Sequence, residues 1–163
     1  MLENKNILIG ITGGIAAYKI CELVRLYRKA RANVRVVLTP NALNFVTKLT
    51  LQTLSNNEVY VDNFEIDEYK PEHITLTEAD IFVIAPASAN TISKLANGIC
   101  DNLLLSTACA FNKPFLIAPA MNTNMWENPF VQENLSKLRK NGYNILEPDE
   151  GYLACGTNGK GRM

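Results

Sequence analysis

The sequence predicts an α/β domain with a doubly wound, mostly parallel sheet and helices on both of its faces. Residues 6–12 and 80–86 form continuous apolar runs, which are typical of strands buried on both faces. Residues 15–30 instead place polar side chains at helical spacing. Strands that alternate with helices are joined by right-handed crossovers, and such sheets bind ligands at the carboxyl ends of their strands.

The predicted elements follow one another without an internal repeat or a linker. A strand over 6–12 leads through two glycines into a helix over 15–30, and a second strand covers 33–39. The later predicted elements are a short helix from Pro40, a short helix over 50–55, a strand over 80–86, a helix ending near 97, a helix capped by Asp101 and ending near 111, a strand over 113–119, a helix over 129–141 and a strand over 144–147. Residues 56–72 show no readable pattern.

Length and composition favour one soluble domain. The 163 residues suffice for a full hydrophobic core. The 16 basic and 16 acidic residues create no broad positive field for nucleic acid, and no apolar run approaches the ~18 residues of a membrane span. The four cysteines lack a framework spacing, so we expect free thiols in a reducing cytoplasm. With one histidine and no CxxC motif, we expect no metal site.

Glycines follow the first predicted strand. Gly13 and Gly14 lead into a helix, whose first N–H groups are left free to bind an anion. The spacing differs from the GxGxxG pattern, and the second strand ends in Thr39 and Asn41 instead of the acid that would bind a ribose. Both features favour a phosphate monoester over a dinucleotide. A glycine turn that serves only packing is the alternative.

Polar side chains also follow two later strands. Residues 86–91 combine small side chains with the hydrogen-bonding groups of Ser88, Asn90 and Thr91, which suit the edge of a flat ring. Plain capping of the following helix is the alternative explanation. Asn122 comes directly after the strand over 113–119, where a neutral amide can bind a carboxylate.

His73 is the only histidine and precedes the strand over 80–86. Imidazole can take up or release a proton near neutral pH, as a general base must. A lone histidine is also commonly a structural or surface residue, and this alternative stays open.

Residues 151–163 contain four of the nine glycines in the chain, together with Cys155. Ordering glycine costs backbone entropy, so this composition predicts a flexible flap, over about 149–163, that closes over a ligand and brings Cys155 to it. A frayed terminus with an incidental cysteine is the alternative.

Together these stretches resemble the homo-oligomeric flavin-containing cysteine decarboxylases, with no departure at a motif position. The matching motifs are Gly-Gly-Ile-Ala-Ala-Tyr-Lys at 13–19, His-Ile at 73–74, Pro-Ala-Ser-Ala-Asn-Thr at 86–91, Pro-Ala-Met-Asn-Thr-Asn-Met-Trp at 119–126, Leu-Ala-Cys-Gly at 153–156 and Gly-Lys-Gly-Arg-Met at 159–163. Within the family they match the branch that acts on phosphopantothenoylcysteine in coenzyme A biosynthesis. Many members continue into a phosphopantothenate–cysteine ligase, so the chain is expected to be the N-terminal part of such a fusion.

The resemblance implies a Rossmann-like (flavodoxin-like) subunit that binds FMN and assembles into trimers, often into dodecamers, with the flavin at a subunit interface. By position in the motifs, the residues expected to bind the FMN phosphate are Gly13, Gly14, Ile15 and Thr39. Those expected to line the flavin are Ser88, Ala89, Asn90, Thr91 and Met121.

The implied reaction is flavin-dependent oxidation of the cysteine moiety to a thioaldehyde, loss of CO2 to give an ene-thiolate, and reduction to 4'-phosphopantetheine. We expect His73 to act as the base, Asn122 to bind the substrate carboxylate and Cys155 to donate the final proton. Further expected substrate contacts are Ala154, Lys160 and Arg162.

Three other functions compete with this interpretation. A peptidyl-cysteine decarboxylase of the lantibiotic type would use the same chemistry, but the segment 153–156 favours the small-molecule branch. A flavin prenyltransferase would lack the cysteine flap. A non-catalytic flavin-binding regulator would be expected to have lost one of the three predicted catalytic residues, yet His73, Asn122 and Cys155 are all present.

Overall fold

A six-stranded parallel sheet lies at the centre of the structure, a computed structural model that describes residues 2–61 and 72–163. Its strands are β1 (Asn6–Ile11), β2 (Asn33–Leu38), β3 (Val59–Tyr60), β4 (Ile81–Ala87), β5 (Phe115–Pro119) and β6 (Asn144–Ile145). Their order is β3-β2-β1-β4-β5-β6, and every pairing is parallel. The order reverses between β1 and β4, whose carboxyl ends therefore border a crevice. The predicted doubly wound, Rossmann-like α/β fold is confirmed.

Helices pack on both faces of this sheet. They are α1 (Ala17–Lys29), a 3-10 helix (Pro40–Asn44), α2 (Lys48–Ser55), α3 (Glu72–Leu76), α4 (Ala89–Ala96), α5 (Leu103–Ala110), α6 (Thr123–Trp126) and α7 (Pro129–Lys140). Successive strand residues point to opposite faces, so Leu8 and Phe82 belong to one hydrophobic core, and Ile9 and Val83 to the other. Among the residues described here, no helix has the length and apolar character needed to cross a membrane.

The structure adds the short helices α3 and α6, which were not predicted, and it differs from the prediction at the cap of α5 and in the stretch 56–72. Asn102, not Asp101, caps α5: its Oδ1 accepts the Leu105 N–H at 3.0 Å, because its extended backbone places the side chain over the first turn. Asp101 instead forms an ion pair with Lys94. In the stretch 56–72, where no pattern was found, β3 is only two residues long, too short to display a period. Residues 62–71 lie outside the described residues.

The predicted flap forms an antiparallel hairpin that stands apart from the main sheet. Its strands are β7 (Asp149–Tyr152) and β8 (Asn158–Arg162). Leu153, at the base of the turn, is buried, and its N–H donates to the Thr157 carbonyl at 2.8 Å. The segment therefore has regular structure, and its opening and closing remain a prediction.

Candidate functional site

The loop between β1 and α1 presents free backbone donors at residues 13–16. In the described part of the chain, these four N–H groups have no hydrogen-bond acceptor. The next N–H group, that of Ala17, donates to the Gly14 carbonyl at 2.9 Å. The free donors lie at the positive end of the α1 dipole. The loop can therefore bind an anion without a charged side chain.

The end of β2 places a side-chain hydroxyl beside this loop. Thr39 is only 7% exposed, and its hydroxyl has no partner within the residues described. Its backbone N–H donates to the Ile11 carbonyl at 3.0 Å, which places it beside the end of β1. A Cβ on Gly13 would lie 2.7 Å from the Cβ of Asn41, so only glycine allows the two loops to approach.

The two loops together fit a phosphate group. They combine unpaired N–H groups with an unpaired buried hydroxyl, and residues 12–16 and 39–41 include no carboxylate. A buried hydroxyl without a partner is unfavourable, so a ligand oxygen at this place would satisfy it. This donor set agrees with the predicted preference for a phosphate monoester over a ribose.

Thr12 joins this loop to the end of β4. Its buried hydroxyl donates to the Pro86 carbonyl at 2.6 Å and accepts the Ser88 N–H at 2.8 Å. The two central strand ends are thereby held in one arrangement. The sequence analysis did not assign Thr12 to the site, although a polar residue at the end of an apolar strand is a usable signal.

Ser88 caps α4, as the alternative explanation of this motif predicted. Its Oγ accepts the Thr91 N–H at 3.3 Å and lies 3.2 Å from the Thr91 hydroxyl. Thr91 is buried, Ala89 is half-buried against the core, and Asn90 is exposed. The exposed Asn90 side chain is accessible to a ring, and the flavin contacts of these residues remain predictions.

Asn122 caps α6 and is thereby oriented. Its Oδ1 accepts the Met125 N–H at 2.9 Å, which fixes the plane of the amide. The Nδ2 group has no acceptor among the described residues, and the side chain is exposed. An oriented neutral amide with two free N–H donors is suited to a carboxylate.

Strand β8 lies directly against the loop that carries Asn122. The Met121 N–H donates to the Gly161 carbonyl at 3.0 Å. A Cβ on Gly161 would lie 2.0 Å from the Met121 oxygen, and one on Gly159 would lie 2.2 Å from the hydroxyl of Thr123. These two glycines thus have a packing explanation as well as the predicted one of flexibility. The structure brings the hairpin and Asn122 together.

Cys155 lies at the exposed tip of this hairpin. Its Sγ is 3.2 Å from the Thr157 hydroxyl, and hydrogen bonds from the side chain and backbone of Thr157 lower the pKa of the Cys155 thiol. Gly156 has φ +86°, which lets the chain turn, and neighbouring Ala154 is also exposed. The tip is therefore a loop stabilised by the contact between Cys155 and Thr157, and its thiol is accessible to solvent.

The two cations of β8 differ in their surroundings. The Lys160 ammonium lies 3.3 Å from a carboxylate oxygen of Glu147 and 5.5 Å from the centre of the Trp126 ring. The Arg162 side chain packs against Gly151. Lys160 thus already has partners, and the substrate contacts predicted for both cations stay predictions.

His73 lies on a helix that contains none of the other predicted site residues. It lies in α3, and the carbonyls of residues 77–79, which follow α3, accept hydrogen bonds from Lys113 just before β5. Helix α3 therefore leads to the amino ends of β4 and β5. Gly13, Thr39, Ser88 and Asn122 instead follow the carboxyl ends of strands of the main sheet. No described hydrogen bond joins His73 to them.

The chain matches known protein families and relatives over its whole length. The model of the family described as Flavoprotein matches residues 1–163. The coenzyme A biosynthesis bifunctional protein CoaBC of Bacillus subtilis is 49% identical over 167 residues, covering 100% of this chain and 41% of that protein. The probable phosphopantothenoylcysteine decarboxylase of Streptococcus mutans is 44% identical, covering 98% of this chain and 91% of that protein. The chain thus spans about two fifths of the bifunctional relative and nearly all of the second.

Solved structures agree with this similarity. The FMN-dependent cysteine decarboxylase SpaF is 32% identical, with a TM-score of 0.89 over 98% of this chain and 92% of that one. A cysteine-to-serine mutant of PPC decarboxylase, solved in complex with pantothenoylaminoethenethiol, is 36% identical, with a TM-score of 0.87 over 99% of this chain and 91% of that one.

Proposed function

The chain belongs to the flavoprotein family, and on that premise we propose that it decarboxylates 4'-phosphopantothenoylcysteine to 4'-phosphopantetheine in coenzyme A biosynthesis, as an FMN-dependent carboxy-lyase. The observation that carries this proposal is the contact of the Cys155 hairpin with the Asn122 loop, through Gly161 and Met121. The residues that we propose as proton donor, Cys155, and as carboxylate-binding amide, Asn122, thereby lie on neighbouring segments.

The FMN phosphate would bind at residues 13–15 and Thr39. The free N–H groups and the unpaired hydroxyl there supply neutral donors for a dianion, and the α1 dipole favours its charge. Bound FMN would supply a two-electron acceptor and donor for the sulfur end of the substrate. The residues proposed to line its ring are Ser88, Ala89, Asn90, Thr91 and Met121.

Asn122 would position the reacting carboxylate. Its Nδ2 donors bind the anionic substrate without placing a fixed charge beside it, so the neutral CO2 product is released easily. The fixed amide plane keeps the carboxylate in one orientation during the reaction.

Cys155 would donate the proton that completes the product. The Thr157 hydrogen bonds favour its thiolate form, so the thiol gives up its proton more readily than a free cysteine does. The hairpin that carries it would also keep water away from the reactive intermediate while it lies closed. Lys160 and Arg162 on β8 would add contacts to the substrate phosphate, and Ala154 would line the tip.

His73 would act as the base from a neighbouring chain of a homo-oligomer, either a trimer or a dodecamer built from four trimers. Among the described residues, no hydrogen bond joins it to Asn122 or Cys155 of its own chain. Exposed apolar side chains support such an assembly: Ile15, Tyr18 and Leu26 are each more than half exposed. Beside them, an apolar cavity of about 330 Å³ lies between α1 and the β4–β5 part of the sheet.

One set of measurements tests the proposal. The purified protein should be yellow and release FMN on heating, and it should evolve CO2 from phosphopantothenoylcysteine faster than from a peptide with a C-terminal cysteine. We expect Cys155→Ser to release CO2 but accumulate the ene-thiol, and His73→Asn to bind FMN without decarboxylation. A colourless protein that does not bind added FMN would refute the cofactor, and preference for the peptide would favour the peptidyl-cysteine branch.

A further inference from the structure

Cys100 and Cys109 form a contact that the decarboxylation does not use. Cys100 lies in the turn between α4 and α5, and Cys109 lies near the end of α5. Their sulfur atoms are 2.8 Å apart, and both residues are exposed. A disulfide joins sulfurs at ~2.05 Å, so closure requires a movement of only about 0.8 Å. The two thiols are therefore already placed for a bond.

The turn that carries Cys100 is held next to α5 but is not part of the core. The Ser106 hydroxyl donates to the Cys100 carbonyl at 3.3 Å, and Lys94 pairs with the adjacent Asp101. The Cys100 thiol also lies 3.6 Å from the carbonyl of Gly98, which has φ +68°. These contacts keep the two thiols close, while the exposed backbone of the turn can take up the small movement.

The surroundings of Cys109 disfavour its thiolate form. Partial burial, followed by the hydrogen bond and the charge of Cys100, raises the pKa of Cys109 to about 11. Although the residue as a whole is exposed, the thiol itself is partly desolvated. Cys109 is therefore a poor first nucleophile, which assigns the first attack on the oxidant to Cys100 in the exposed turn.

We propose that Cys100 and Cys109 are a redox-active dithiol site, which low-molecular-weight disulfides such as oxidised glutathione convert into an intrachain disulfide. The Cys100 thiolate attacks one sulfur of the oxidant and releases one glutathione thiolate. Cys109 then attacks the Cys100 sulfur of this mixed disulfide, and the second glutathione leaves with the proton of Cys109. Both cysteines are oxidised, and one oxidised glutathione is reduced to two thiols.

Mass spectrometry after oxidation tests this site on the purified protein with its cofactor. The protein is incubated with oxidised glutathione, its free thiols are alkylated, and it is digested with trypsin. No lysine or arginine lies within residues 95–112, so Cys100 and Cys109 stay in one fragment, apart from those of Cys21 and Cys155. We expect this fragment to lose two hydrogen atoms and to escape alkylation, and reduction to restore both thiols.

Two variants and an internal control make the result decisive. Cys109→Ser should accumulate a glutathione adduct on Cys100, because the second thiol is missing, and Cys100→Ser should never show the loss of two hydrogens. Exposed Cys155 reports that the oxidant reached the protein. The proposal is overturned if Cys155 is modified while the pair stays reduced. It is equally overturned if Cys100 and Cys109 carry separate glutathione adducts, or if the only disulfides formed join two chains.

Discussion

Replacing Thr39 with valine should increase the free energy of unfolding of the FMN-free protein and weaken its binding of FMN. The Thr39 hydroxyl is buried without a partner in the described structure. Leaving such a group unpaired costs about 1–3 kcal/mol, and valine has nearly the same shape without the hydroxyl. We therefore expect the FMN-free variant to be more stable by about 1–2 kcal/mol, a rise in Tm of roughly 2–8 °C.

The same substitution removes a donor from the proposed phosphate site. A hydrogen bond to a charged group contributes about 1.5–3 kcal/mol, so the Kd for FMN should rise by roughly 10- to 100-fold. Thermal unfolding of the stripped protein gives the first quantity. Titration of stripped protein with FMN, followed by flavin fluorescence, gives the second.

Thr107→Val is the matched control for Thr39→Val. The Thr107 hydroxyl is also fully buried without a partner in the described structure, but it lies in α5, away from the loop at residues 13–16. This control should raise the Tm of the apoprotein in the same way and leave the FMN affinity unchanged. If Thr39→Val binds FMN as tightly as the original protein, the proposed phosphate site is wrong.

Three further predictions concern the hairpin and Asn122. Gly161→Ala should release the hairpin, because its Cβ would collide with the Met121 oxygen; the Met121 amide should then exchange faster with deuterium, and unchanged protection would contradict this contact. Thr157→Val removes the hydroxyl and should raise the pKa of Cys155, so the midpoint of its alkylation rate should move to higher pH; an unmoved midpoint would exclude the Thr157 hydroxyl as a cause. Asn122→Asp retains a good helix cap, so the Tm of the protein should be unchanged. The new charge should repel the substrate carboxylate, so the KM should rise roughly tenfold or more. An unchanged KM would remove Asn122 from substrate binding.

The predictable parts of the fold are those with a local signal. Strands β1 and β4 were predicted within one residue at each end, because a strand buried on both faces has a continuous apolar sequence. Helix α7 was predicted from Asn128, Pro129 and Gly142 at its ends. Strand β3 has two residues, and nothing local distinguishes such a strand from a loop.

The cap of α5 shows where local signals end. Asp101 and Asn102 are both good capping residues, and only the backbone angles decide which of them lies over the first turn. The same limit applies to the polar motif at 86–91. Its sequence fits capping and ring binding equally, and the structure shows that Ser88 does cap α4 while the ring contacts stay a prediction.

The sequence by itself determined the parallel sheet and the polar residues that follow its strands, because hydrophobic period and turn residues act over a few neighbours. Only the tertiary structure decided which of those residues meet. Gly161 contacts Met121 across 40 positions of the chain, and the thiols of Cys100 and Cys109 meet across a turn. Such contacts depend on how whole elements pack against one another. A pattern among neighbouring residues carries no information about that packing.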